Sequence, residues 1–220
     1  MLDAPPVLSR FSDLKSTLRS RLLASPCHEP ANDWRLGQES EARRKRLRKF
    51  FPEYPTPAAV LVPVLDRGDD LGILLTLRSS HLKNHAGQIS FPGGRIEASD
   101  SDPLSAALRE TEEEIGLCGD QIDVAGYLPD HLVITGYRVT PVVGFIRPNF
   151  SLTPDPTEVV EVFEVPLSFV LDERNHVPAV RHFKGEDVHF IDFPFGHHTI
   201  WGATAGMLMT LYRTLRGDPA

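Results

Sequence analysis

Three glutamates on one short segment could hold a divalent cation. Glu110, Glu113 and Glu114 are spaced i, i+3 and i+4, which places their side chains on one face of a helix, within about 100° of arc. Carboxylates crowded in this way repel one another and destabilise the helix, and a hard cation removes that repulsion. The pattern therefore indicates either a magnesium-type site or a solvated acidic face, and the surrounding residues decide between them.

The segment that carries these glutamates has the signals of a well-bounded helix. Asp102 is a favourable N-cap, Pro103 suits the first helical position, and Gly116 can adopt the left-handed conformation that ends a helix. Glu112 would point roughly 160° away from the acidic face, so we assign it no role. The opposite face carries the stripe expected of a core-packed helix, namely Leu104, Leu108, Thr111 and Ile115.

The helix and the loop before it resemble the Nudix box, Gly-x5-Glu-x7-Arg-Glu-U-x-Glu-Glu-x-Gly-U, where U is apolar. The matching residues are Gly94, Arg109, Glu110, Glu113, Glu114, Gly116 and Leu117. Asp100 replaces the first glutamate, Thr111 stands at an apolar position, and one extra residue separates Asp100 from Arg109. The metal-binding half of the motif is intact. The paired glycines Gly93 and Gly94 would let the backbone approach a ligand closely.

The Nudix resemblance implies an α/β/α sandwich with a mixed central sheet and a hydrolase that cleaves a diphosphate by attack of water. It also implies Mg²⁺ or Mn²⁺ as cofactor, with Glu110, Glu113, Glu114 and the Gly94 carbonyl as metal ligands. Glu113 and Arg109 are the predicted catalytic residues of the box. We expect Arg109 to form a bidentate pair with Asp100 or Glu97 and to hold the loop on the helix, with direct phosphate contact as the alternative.

The general base is less sharply indicated. The resemblance allows it to come from the box helix or from a glutamate on a separate loop. Glu158 and Glu161 lie in a suitable region, and Glu161 is taken as the third predicted catalytic residue, although either could be a surface carboxylate. His197 and His198 are adjacent, and i, i+1 spacing points side chains apart in any regular element, which argues against a metal site there.

A second motif precedes the box. Residues 74–79 (LLTLRS), followed by Lys83, Gly87 and the Gly93-Gly94 pair, are similar to the signature of coenzyme A pyrophosphatases. That signature usually has arginine where this chain has Lys83, which keeps the charge but not the bidentate geometry. The resemblance predicts substrate binding by Arg78, Lys83, Gly87 and Gly93.

The two motifs together predict hydrolysis of coenzyme A or acyl-CoA to a 4′-phosphopantetheine product and adenosine 3′,5′-bisphosphate. One alternative is a Nudix hydrolase for ADP-ribose, a dinucleotide or a nucleoside triphosphate. Another is a non-catalytic module that senses a nucleotide, although such a module would be expected to lose the box glutamates. The fold alone does not choose between them.

Composition agrees with a cytoplasmic enzyme acting on a small molecule. The 220-residue chain has a net charge of −7, which argues against nucleic acid as a nonspecific partner. Cys27 and Cys118 lack metal-ligand or redox spacing and suggest a reducing compartment. No segment approaches the ~18 apolar residues of a membrane span. The protein could be a monomer or a homodimer.

Periodicity divides the chain into residues 1–57, an N-terminal helix and basic linker (43–49) packed on the domain, and residues 58–216, the Nudix domain. Apolar residues at helical spacing between Leu8 and Leu22 predict the N-terminal helix. Residues 58–65 and 71–77 flank a polar turn and predict a hairpin. Further strands are predicted at 122–128, 138–146, 159–165 and 188–193, and a final helix at 202–215.

Overall fold

A hairpin of two long strands forms the middle of the molecule. In the computed structural model, which describes residues 12–27, 50–82 and 85–217, strand β1 (Thr56–Asp66) pairs antiparallel with β2 (Leu71–Arg78). The turn closes with a hydrogen bond of 3.0 Å from the Arg67 N–H to the Asp70 carbonyl. Gly68 has a φ of 80° there, a conformation that glycine adopts without steric cost. The predicted hairpin is confirmed.

The hairpin belongs to an eight-stranded mixed sheet. The other strands are β3 (Ile89–Ser90), β4 (Gly93–Arg95), β5 (Ile122–Tyr127), β6 (His131–Leu132), β7 (Tyr137–Ile146) and β8 (Val159–Pro166). The main order is β3-β2-β1-β7-β5, with β4 paired to β1, β6 to β7 and β8 to β2. Strands β1 and β7 are parallel, and the other pairs of this sheet are antiparallel.

Helices cover both faces of this sheet. They are α1 (Ser12–Arg21), α2 (Pro103–Ile115), α3 (Leu167–Leu171) and α4 (Gly202–Arg216). Helix α2 buries Ala106 and Ala107 against one face, in a cluster with Leu61 of β1. Helices α1, α3 and α4 pack on the other face, where Leu208 joins a cluster with Val62 of β1. Because successive strand residues point to opposite faces, β1 is apolar along nearly its whole length. The predicted α/β/α sandwich is confirmed.

A second, three-stranded sheet was only partly predicted. Strands β9 (Val177–Phe183), β10 (Glu186–Phe195) and β11 (His198–Ile200) form it in the order β11-β10-β9, all antiparallel. The sequence predicted only residues 188–193 of β10. Strand β9 alternates exposed and half-buried positions, and β11 has three residues, so neither carries the apolar run that identifies a core strand.

The N-terminal helix packs on the domain through Leu14 and Leu18, which are buried in the same core as helix α4. Residues 1–11 and the basic run 43–49 lie outside the described residues, and the division at residue 57 stays a prediction. The helices in the described parts of the chain are all too short or too polar to cross a membrane.

Candidate active site

Helix α2 is fixed at both ends by the residues that the sequence assigned to its caps. The Asp102 carboxylate accepts a hydrogen bond from the Ser105 N–H at 2.7 Å, and the Ser105 hydroxyl accepts one from the Asp102 N–H at 3.1 Å. Gly116 has a φ of 69°, and its N–H donates to the Glu112 carbonyl at 2.9 Å. The caps fix where the helix begins and ends, and hence which way its acidic face points.

Small residues bring α2 close to the sheet. Ala106 and Ala107 are fully buried. Leu104 and Leu108, which the sequence assigned to the core-facing stripe, are only partly buried. Thr111 occupies an apolar position of the motif and is also buried. Its hydroxyl donates to the Ala107 carbonyl at 2.6 Å. Because this intrahelical bond satisfies the hydroxyl, threonine is compatible with the core position.

Arg109 joins the loop to the acidic face of the helix. Its Nε and Nη2 donate to the two carboxylate oxygens of Asp100, each at 3.0 Å, and these bonds lower the pKa of Asp100. Its Nη1 donates to Glu110 at 2.9 Å and to Glu113 at 3.0 Å. The bidentate pairing with Asp100 is confirmed. Glu97 instead contributes its backbone N–H, which donates to Asp100 at 2.8 Å.

Glu114 is the most deeply buried glutamate of the box, at 2 % exposure. Arg78, at the end of β2, forms an ion pair with it, and the Gly93 N–H donates to its second oxygen at 3.2 Å. Burial raises the pKa of Glu114 to about 7 against the opposing effect of the Arg78 charge, and the nearby Glu158 carboxylate raises it further. The Arg78 charge only partly offsets the cost of ionising Glu114 in this buried position, and a bound cation would stabilise the ionised carboxylate further.

Glu110 lies directly against Gly94 of β4. A Cβ atom added to Gly94 would lie 2.4 Å from the Glu110 carboxylate carbon, and one added to Gly93 would lie 2.4 Å from the Ala59 carbonyl oxygen. Only glycine fits at either position without displacing these groups. Burial raises the pKa of Glu110, and its hydrogen bond from Arg109 opposes that rise. The backbone at residue 94 and the Glu110 carboxylate thus face the same small space.

The donor set of the box suits a hard divalent cation. Glu110, Glu113, Glu114 and the Gly94 carbonyl offer only oxygen, the ligand that Mg²⁺ and Mn²⁺ prefer. Glu113 differs from the other two carboxylates because its side chain is 59 % exposed. The three carboxylates do not form a cluster with ligand atoms within 4.8 Å of one another in the described parts of the chain. Mg²⁺ commonly uses one or two carboxylates and completes its shell with water and phosphate, so the residues fit.

The residues predicted to bind substrate occupy different places. Arg78 and Gly93 contact Glu114, inside the box site. Gly87 has a φ of 66° in the segment that leads into β3, and the Gln88 carbonyl in that segment accepts the Arg78 N–H at 3.0 Å. Lys83 lies outside the described residues. Their contacts with substrate stay predictions.

Glu158 and Glu161 lie on different faces of the sheet. Glu158 is 3.9 Å from the Arg78 guanidinium and raises the pKa values of both Glu110 and Glu114. Glu161 pairs across the ladder with Leu77, the residue before Arg78, so strand alternation turns it to the face away from the box. The predicted catalytic role of Glu161 is not tested by these positions. Sequence position does not favour Glu158 over Glu161, because the contact that distinguishes Glu158 is with Arg78, a residue of another strand.

The expectation that His197 and His198 point apart is wrong. Their ring centroids are 3.9 Å apart, and both Nε2 atoms approach the Glu161 carboxylate, at 4.0 Å and 3.4 Å respectively. His197 lies in the two-residue turn between β10 and β11, where Gly196 has a φ of 60°. The alternation rule holds within a strand and fails in such a turn.

Comparison with known proteins identifies the family. The NUDIX domain model matches residues 55–186. The chain is 42 % identical over 154 residues to the uncharacterized Nudix hydrolase NudL of Citrobacter koseri, covering 70 % of this chain and 80 % of that protein. It is 42 % identical over 162 residues to NudL of Klebsiella pneumoniae, covering 74 % and 84 % respectively.

Solved structures agree at the level of the fold. The Nudix hydrolase RenU of M. smegmatis superimposes with a TM-score of 0.51 and 19 % sequence identity, covering 76 % of this chain and 89 % of that one. The NUDIX domain match, residues 55–186, includes the acidic helix, the glycine loop and the large sheet that positions them. This chain therefore belongs to the Nudix hydrolase family.

Proposed function

We propose that this Nudix hydrolase cleaves the diphosphate bond of coenzyme A or acyl-CoA, releasing adenosine 3′,5′-bisphosphate and a 4′-phosphopantetheine product. One observation carries the proposal. Arg78, which belongs to the signature similar to that of coenzyme A pyrophosphatases, forms an ion pair with the buried Glu114 of the box. The segment that suggests the substrate and the segment that suggests the chemistry therefore meet in one site.

Each side chain of the site has a separate task. Arg109 holds the loop on the helix through Asp100 and keeps Glu110 oriented. Arg78 offsets the cost of ionising the buried Glu114. Bound by Glu110, Glu113, Glu114 and the Gly94 carbonyl, Mg²⁺ or Mn²⁺ would neutralise phosphoryl charge and lower the pKa of a bound water.

The reaction adds water across one P–O–P link. The water oxygen forms a bond to one phosphorus, the bond from that phosphorus to the bridging oxygen breaks, and two phosphate monoesters leave. The water gives up a proton as it attacks. We assign that proton to Glu158, because this carboxylate is 44 % exposed and lies beside Arg78 on the box face of the sheet. Glu161, the residue predicted from the sequence, lies on the other face.

A substrate panel tests the proposal directly. Coenzyme A, acetyl-CoA, ADP-ribose and NADH would be incubated with the protein in Mg²⁺ and then in Mn²⁺, and the products identified by mass. We expect adenosine 3′,5′-bisphosphate from coenzyme A at a much higher rate than any product of the other diphosphates. Faster turnover of ADP-ribose or NADH would assign the protein to another Nudix substrate class. No turnover of these four compounds, or of a nucleoside triphosphate assayed beside them, would favour a sensing module.

The assignment of the proton acceptor has its own comparison. Glu158→Gln and Glu161→Gln remove one carboxylate each from neighbouring positions on the two faces of the sheet. We expect Glu158→Gln to lower kcat by about 10²-fold or more, the typical contribution of a general base. A larger decrease of kcat in Glu161→Gln than in Glu158→Gln would instead assign the role of general base to Glu161.

A further inference from the structure

A second group of metal-ligating side chains lies on the sheet face opposite to the box. Glu161, His197 and His198 each offer one ligand atom, and these atoms all lie within 4.8 Å of one another. Nε2 of His198 is 3.4 Å from each carboxylate oxygen of Glu161, and Nε2 of His197 is 4.0 Å from the nearer one. We propose that these three side chains bind a zinc ion.

The distances suit a shared cation better than a hydrogen bond. Zinc bonds to imidazole nitrogen and carboxylate oxygen are about 2.0–2.1 Å long, so neighbouring ligand atoms in a tetrahedral site are about 3.3 Å apart. The His198 to Glu161 separation of 3.4 Å is close to that value. A charge-assisted N–H···O bond would be nearer to about 2.8 Å. His197, at 4.0 Å, needs a displacement of about 0.7 Å to reach the same spacing.

One histidine of the site is packed against the protein and the other is exposed to solvent. The His198 side chain is only 8 % exposed, and its ring stacks on Phe163 with centroids 4.2 Å apart and planes 19° apart. The His197 side chain is 81 % exposed, on the turn that begins at Gly196. One imidazole is therefore fixed in place, while the other can close over an entering ion. The solvent side leaves room for water as a fourth ligand.

The ligand types select the class of metal. Two imidazole nitrogens and one carboxylate favour zinc and similar transition ions, whereas Mg²⁺ prefers a shell of oxygen atoms. The box offers oxygen atoms alone. The two sites therefore differ in chemistry, and excess Mg²⁺ should occupy the box without filling the histidine site.

Zinc at this position would connect the two sheets. Glu161 lies on β8 of the large sheet, whereas His197 and His198 lie on the β10–β11 hairpin of the small sheet. No strand ladder joins the two sheets in the described parts of the chain. Near the site they meet through ring contacts of Phe163 in β8, whose centroid is 4.2 Å from that of His198 and 6.5 Å from that of Phe195. A bound ion would add a direct link at this junction and would stabilise the folded chain against the unfolded one.

Zinc binding by the full chain in saturating Mg²⁺ tests the proposal, measured by titration calorimetry and by thermal unfolding. His197→Ala removes an exposed ligand, and His198→Phe removes the other imidazole while keeping a ring against Phe163. We expect both variants to bind one zinc ion fewer than the unmodified protein. We also expect Zn²⁺ at about 100 times its Kd to raise Tm by roughly 5–10 °C in the unmodified protein and much less in the variants.

Two control variants separate this site from others. His182→Ala removes an exposed histidine from the same small sheet, which lies 3.0 Å from Asp187 and is not part of the group formed by Glu161, His197 and His198. Glu114→Gln alters the box. Both control variants should bind as many zinc ions per chain as the unmodified protein. Absence of zinc binding by the unmodified protein, or equal zinc binding by the protein and by both His197→Ala and His198→Phe, would overturn the proposal.

Discussion

Replacing Glu114 by glutamine should make the stability of the metal-free protein less dependent on pH. Burial raises the pKa of this carboxyl group from 4.5 to about 7 in the folded protein. The folded state therefore holds the proton more tightly than the unfolded state. The resulting stabilisation is fully present below about pH 4.5 and is lost as the pH rises through about 7. Glutamine has a similar shape and no titrating proton, so the variant lacks this dependence.

The size of the effect follows from the rise in pKa. An increase in pKa from 4.5 to about 7 means that the free energy of unfolding falls by roughly 3 kcal/mol between a pH well below 4.5 and a pH well above 7. For a domain of this size that amounts to a change in Tm of about 6–12 °C. Carboxyl groups with lowered pKa values, such as Asp100 and Asp172, titrate below this window and are the same in both proteins.

Urea unfolding in chelator at pH 5, 6, 7 and 8 measures the effect. The free energy of unfolding of the unmodified protein, minus that of Glu114→Gln, should decrease by about 2–3 kcal/mol from pH 5 to pH 8. Glu112→Gln, an exposed change on the same helix, should follow the unmodified protein at every pH. Mg²⁺ at pH 8 should stabilise the unmodified protein more than Glu114→Gln. Parallel curves for the unmodified protein and Glu114→Gln would refute the reasoning, since they would mean that Glu114 titrates normally.

Three further changes test the site. Glu110→Gln should lower kcat by on the order of 10³-fold or more through loss of a metal ligand, while Glu112→Gln stays close to normal; similar rates in both would contradict the ligand assignment. Arg109→Lys should lower both activity and Tm, because an ammonium group cannot replace the bidentate contact with Asp100; full activity and an unchanged Tm would show that charge alone suffices. Dephospho-CoA should be hydrolysed roughly 10-fold or more slowly than coenzyme A, because it lacks one charge-assisted hydrogen bond through the 3′-phosphate. Lys83→Ala should reduce this difference in rate between the two substrates. Equal rates in the unmodified protein would show that the 3′-phosphate is not recognised.

Much of the box could be predicted from the sequence because its parts are local. The spacing of Glu110, Glu113 and Glu114 sets their common face through helix geometry alone. The caps at Asp102 and Gly116 depend on neighbouring backbone groups, and both were predicted correctly. The partner of Arg109 was predicted as one of two acids, Asp100 and Glu97, because the loop that carries both leads directly into the helix.

The tertiary structure decided everything that depends on strand pairing. Arg78 lies 36 residues before Glu114 in the chain, and only the packing of α2 on the sheet brings them together. The pairing of β8 with β2 places Glu161 opposite Leu77 and brings Glu158 close to Arg78, and spacing along the chain reveals neither partner. His197 and His198 converge on Glu161 because a two-residue turn interrupts strand alternation. Local geometry was thus set by the sequence, whereas contacts between distant segments required the register of the sheet.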